Sequence, residues 1–111
     1  MKQVRLFILL LCINIVICQA SFYGTSNDGY AWKRTASGEV MNPNKMTCAS
    51  WYYPLGTWLK VSRKKKSVIV RVNDRGGYHR LDLSPAAFKK LAPLSRGIIQ
   101  VRVEKVRNNG E

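Results

Sequence analysis

Acidic residues are scarce in this sequence, six against 19 lysines and arginines, and the formal net charge is +13. A surface so unbalanced is drawn to polyanions of any kind, whether wall polymers, lipid headgroups or nucleic acid, and charge alone does not choose among them. Histidine is scarcer still, His79 being the only one. With no His pair and no cysteine pair at metal spacing, neither a metal nor a cofactor is expected. Cysteine is limited to Cys12, Cys18 and Cys48, and the first two lie in or just after an apolar N-terminal run. One cysteine left in the folded part makes no intramolecular disulfide, so the core alone must stabilise the fold. Cys48 has no His or Asn pattern around it that would make it a nucleophile, and it reads as a small core hydrophobe. The sequence also lacks internal repeats and a phosphate-binding loop.

The N-terminal run is Leu6 to Ile17, preceded by Lys2 and Arg5. It has the length of a signal-peptide core and falls short of the roughly 20 residues a membrane-spanning helix needs. Cys18-Gln19-Ala20 then offers small residues at the two positions a signal peptidase reads. Cleavage is therefore expected after Ala20, with residues 1–20 as the signal peptide and an exported chain placed in the periplasm, cell envelope or outside the cell. Lipid attachment at Cys18 is a second possibility, disfavoured because Ile17 is not small. Membrane association is expected only if the chain is lipidated or keeps its signal.

What remains is one small domain, residues 21–107, with a short tail at 108–111. Removing Lys2 and Arg5 from the total leaves residues 21–111 at +11. Its clearest feature is Val68-Ile69-Val70-Arg71-Val72, a half-buried strand by composition and alternation, which ends at the turn Asn73-Asp74-Arg75-Gly76-Gly77. A carboxylate on a turn anchored by a rigid strand is well placed to act on something outside the protein, or simply to accept backbone amides. Trp58 to Val61 alternates in the same way and forms a hairpin with the central strand across the basic tip Arg63-Lys64-Lys65-Lys66. That tip has no interleaved aromatics, which makes it a poor nucleic-acid motif. Alternation turns Arg71 away from Asp74, so Arg75 is the cation beside it.

Elsewhere, Ser21 to Gly24 reads as a short first strand and Met46 to Ser50 as a small-residue buried strand. Ser84 caps a helix that has Pro85 in its first position and ends before Pro93. Ile98 to Val106 is a strand with Ile99, Val101 and Val103 on one face. Tyr30 and Trp32 stand in an aperiodic loop, where they either fold back on the core or line a ligand groove. Short strands joined by glycine turns, with a single short helix, indicate an all-β closed barrel.

Taken in order, Ser21-Phe22-Tyr23-Gly24, Thr35-Ala36-Ser37-Gly38-Glu39, Met46-Thr47-Cys48-Ala49, Pro54-Leu55-Gly56-Thr57, Val70 to Gly76, Leu81-Asp82-Leu83-Ser84 with Ala87, and Gly97 with Val101-Arg102-Val103 resemble the rare lipoprotein A family over Ser21 to about Val106. The resemblance implies a six-stranded double-psi β-barrel, the fold of the expansin catalytic domain. It also implies a lytic transglycosylase that cuts peptidoglycan glycan strands.

Carried over by position, it makes Asp74 the general acid and base and Glu39 a second catalytic-groove carboxylate. Tyr23, Tyr30, Trp32, Arg75 and His79 become substrate-binding candidates, and Asp82 and Gly76 structural ones. No water attacks in this chemistry, so the paired carboxylates of a hydrolytic glycosidase are not required. Two positions differ from members that cleave glycan, with Asn42 where an Asp and Ser50 where a His is often found. A non-catalytic wall-binding or expansin-like module is the alternative, with Tyr30, Trp32, Trp51 and Tyr53 stacking on sugar rings. The expected partner in either case is peptidoglycan or another anionic wall polysaccharide, bound by a monomer. The export signal argues against a nucleic-acid partner.

Overall fold

The computed structural model describes residues 15–107. Six strands, β1 (Ile15–Phe22), β2 (Thr47–Ser50), β3 (Trp58–Arg63), β4 (Lys66–Asp74), β5 (Arg80–Leu83) and β6 (Ile99–Val106), close into a barrel in the cyclic order β1-β5-β2-β4-β3-β6. The pairings β1–β5 and β2–β4 are parallel, and the other four are antiparallel. A five-residue helix, α1 (Pro85–Lys89), and a short 3₁₀ turn (Leu94–Arg96) cover one end.

Closure follows from the alternation seen in the sequence. Leu59 and Val61 of β3, Val68, Val70 and Val72 of β4, Leu81 and Leu83 of β5, and Ile99, Val101 and Val103 of β6 all point inward and are buried. Closing the sheet on itself leaves no edge strand and gives these branched side chains one shared core. The β3–β4 hairpin forms as expected, with its basic tip in the exposed turn. The helix starts as expected too, because Ser84 Oγ accepts from Ala87 N and Pro85 fills the first turn. The same hydroxyl donates to Lys45 O at 2.6 Å, so one buried serine joins the helix to the segment entering β2. Phe88 is fully buried and packs edge-on to Phe22 at 4.9 Å between ring centroids.

Two boundaries differ from the sequence reading. The first strand begins at Ile15, six residues before the expected domain start at Ser21, so Ile15 to Ala20 belong to the barrel rather than ahead of it. Ile15, Val16 and Ile17 suit a strand as well as a leader core, and the register along β6 uses them as a strand. Arg80 to Leu83 also forms a strand, where the sequence suggested only the approach to a helix. Its four residues alternate, with Leu81 and Leu83 inward, but so short a run beside the Ser84-Pro85 helix start reads equally as an approach to the helix. Of the expected leader and tail, residues 1–14 and 108–111 lie outside the described residues.

Phe88→Ala should lower the unfolding free energy by about 3–5 kcal/mol, because it removes a fully buried ring from a small core. Urea unfolding would measure this, and a loss below about 1 kcal/mol would contradict the core assignment.

Candidate active site

The sequence at the end of β4 does more than turn. Between β2 and β4 the pairing runs Cys48↔Val72 and then Ala49↔Asp74, so Asn73 is an extra residue at a bulge. A bulge bends the strand and re-aims the side chains beyond it. Here it buries Asn73 and delivers Asp74 half-buried at the barrel rim. Gly76 is required just past it, since a β-carbon there would lie 3.0 Å from the Ala49 backbone and 3.2 Å from Asp82.

Three donors from three parts of the chain converge on the Asp74 carboxylate. Oδ1 accepts from Ala36 N and from Arg75 N, each at 2.9 Å, and Oδ2 accepts from the Tyr23 hydroxyl at 2.9 Å. Burial, and then the hydrogen bond to Asp74, raise the Tyr23 phenol above its ordinary value, so it remains a donor. With both lone pairs of Oδ1 occupied and one of Oδ2, a single acceptor position on Oδ2 is left for an incoming group.

The turn that supplies Ala36 is itself fastened to β4. Ser37 N donates to Asn73 O at 3.1 Å, and Arg71 Nη2 reaches both oxygens of Glu39 at 2.7 and 2.6 Å. The Arg71 hydrogen bond, against some opposing burial, holds the Glu39 carboxyl below the usual range. The sequence reading placed Glu39 in the catalytic groove. The structure places it as the ionised partner of Arg71, locking the 35–39 turn over the strand. Arg71 is taken up by Glu39 and makes no hydrogen bond to Asp74, although the bulge at Asn73 interrupts the alternation that the sequence reading relied on. The Arg75 guanidinium is taken up elsewhere as well, donating to Tyr53 O at 2.8 Å.

The remaining candidates separate into two groups. Tyr30 stands edge-on to Tyr23 at 5.8 Å and is largely exposed, and Trp32 is exposed with φ +66°, so neither folds back onto the core. Trp32, Glu39, Asn42, Lys45, Arg71 and Asn73 share a polar depression of about 250 Å³. His79 lies instead on the far side of the 75–79 loop, at φ +61° and 3.8 Å from the Tyr78 ring. There Trp51, Tyr52 and Tyr78 form an exposed aromatic cluster.

Ser50 is buried and accepts from Tyr52 N and Tyr53 N, capping the turn that follows β2. Asp82 accepts from Ser21 Oγ and pairs with Arg80, tying β1 to β5; Ser84, not Asp82, caps the helix. Sequence reasoning missed Asp28, whose carboxylate collects Gly24 N, Thr25 N and Tyr30 N and shapes the aromatic loop. The Asp-Gly pair at 28–29 was the available signal. It also missed Tyr78, which nothing in the local pattern marks.

A closed six-stranded barrel with two parallel pairings and a carboxylate hub at its rim defines a class, and the comparisons supply the family. Residues 16–103 match the family model described as lytic transglycolase, and the chain belongs to that family. A Nostoc protein named probable endolytic peptidoglycan transglycosylase RlpA is 44% identical over 90 residues, covering 77% of this chain and 24% of its own length. Its Rickettsia typhi counterpart is 41% identical over 97 residues, covering 83% of this chain and 30% of its own length. The chain thus spans about a quarter to a third of these two relatives. Among solved structures, the Streptomyces papain inhibitor superposes with a TM-score of 0.67 at 26% identity, covering 84% of this chain and 94% of that one. A Clavibacter michiganensis expansin gives 0.67 at 25% identity, covering 85% and 51%. These neighbours and the family model establish the double-psi β-barrel.

Glu39→Gln should leave the fold intact and cost under about 1 kcal/mol at neutral pH, since the ion pair is largely exposed. The folded carboxyl is held low, so its contribution exists above the unfolded carboxylate range and fades as pH falls through the folded value. The stability difference between wild type and variant, followed from pH 7 to pH 2, should therefore shrink towards acid. A constant difference would contradict the pairing.

Proposed function

We propose that this chain is an exported endolytic peptidoglycan transglycosylase that cuts glycan strands and leaves anhydro-muramoyl ends, with Asp74 as its acid and base. The observation that carries this reading is the convergence of three donors on one rim carboxylate, which leaves a single open position on Oδ2. The relatives' names supply the reaction class. Protonated Asp74 gives its proton to the departing glycosidic oxygen as the bond to C1 breaks. The 6-hydroxyl of the same muramic residue closes on C1 and returns a proton to Asp74. Atoms balance without water, and one carboxyl group serves both steps.

Each other residue has a supporting task. Tyr23 and the Ala36 and Arg75 amides fix the carboxylate, so little reorganisation is needed when charge moves. Glu39 is a positioning residue that acts through Arg71 on the turn bearing Ala36. Tyr30 and Trp32 offer sugar-stacking faces beside the hub. The basic surface draws the chain to anionic wall polymer. Export by the N-terminal apolar run brings the enzyme to that polymer.

The expansin neighbour favours a second reading, a barrel that binds wall polysaccharide and does not cut it; a mutant form of that Clavibacter protein has been crystallised with cellohexaose. Digestion of purified sacculi separates the two. Asp74→Asn should keep the fold and lower release of anhydro-ended fragments by roughly 10²–10⁴-fold. Wall binding by the wild type with no anhydro product would overturn the catalytic reading in favour of the second.

A further inference from the structure

β1 and β6 pair antiparallel from Ile15↔Glu104 to Ala20↔Ile99, and every one of these pairs lies within Ile15 to Ala20. Ser21 and Phe22 pair only with β5. Cleavage after Ala20 would therefore delete the whole β1–β6 seam while leaving the rest of β1 attached. The barrel would open, and β6, whose Ile99, Val101 and Val103 are core residues, would become an unprotected edge. The two small residues a peptidase would read are also withdrawn in the fold, Ala20 being fully buried and Cys18 half-buried.

A second observation concerns the end of the barrel where the apolar run enters. Ile15, Val16 and Ile17 are exposed there despite their ladder hydrogen bonds, and Ile98 is exposed beside them. Ile17 and Ile98 share a shallow groove with Arg63, Lys64, Arg96 and Arg102. Aliphatic side chains ringed by arginine and lysine match an anionic bilayer surface, with apolar groups at the acyl boundary and cations at the phosphates.

We infer that Ile15 to Ala20 is a retained structural strand, that signal-peptidase cleavage after Ala20 does not yield the folded domain, and that the groove of Ile17 and Ile98 with its ring of arginine and lysine holds the barrel on an anionic membrane face. The whole chain would be expressed with export, its protease-resistant fraction isolated, and its intact mass and membrane partition determined. A mass that retains Ile15, in protein that pellets with membranes and is released by detergent, is the expected result. Native hydrogen exchange on the same material should show the β6-facing amides of Ile15 to Ala20 as slow as those of Val101 and Val103. A folded, protease-resistant product beginning at Ser21, a chain retaining Ile15 but recovered free in the soluble fraction, or rapid exchange across Ile15 to Ala20 would each overturn the inference.

Discussion

The structure at the rim depends on one carboxyl group. Asp74 is the point at which β1, through Tyr23, the 35–39 turn, through Ala36, and the β4 end, through Arg75 N, are held to a common geometry. None of the three is sequence-local to both of the others, so the carboxylate does the work that a disulfide does in many small exported domains. Charge-assisted hydrogen bonds to a half-buried acceptor are the stronger kind, and losing their acceptor would leave two amides and a phenol to find new partners. The residue that gathers these three donors is also the one with an acceptor position left open to the outside.

The barrel explains why that residue sits where it does. Parallel pairing of β2 with β4 brings the chain ends of both strands to the same rim, and the bulge at Asn73 shifts the register by one just before Asp74. The Arg71–Glu39 pair lies on the outer side of the same strand and fastens the covering turn. The same turn thereby receives the Arg71 guanidinium through Glu39 and the Asp74 carboxylate through the Ala36 amide. In a protein with only six acids, two are committed to this small region, which shows how much of its negative charge is held in one place on an otherwise basic surface.

Much of this was legible in the residues. Alternation in Val68 to Val72 and in Ile99 to Val103 marked the two strands that carry most of the core, Ser84-Pro85 marked the helix start, and the Asp-Arg-Gly-Gly turn marked Asp74. The rest was hidden for physical reasons. Ile15 to Ile17 satisfies the composition of a leader core and of a strand equally, and only the partner strand β6 decides between them. Glu39 shows no sign of its ion pair because Arg71 is 32 positions away. Tyr23 as a donor to Asp74, and Ala36 as an amide rather than a side chain, are long-range facts that no local pattern encodes.

The central claim is that one carboxyl group suffices because the bond-breaking step uses the sugar's own hydroxyl and not water. The most direct test is to digest sacculi in ¹⁸O-enriched water and to examine the new chain ends by mass spectrometry. Lytic closure on Asp74 predicts anhydro ends that carry no heavy oxygen. Reducing ends labelled with ¹⁸O would show hydrolysis, and would contradict an account in which Asp74 acts alone.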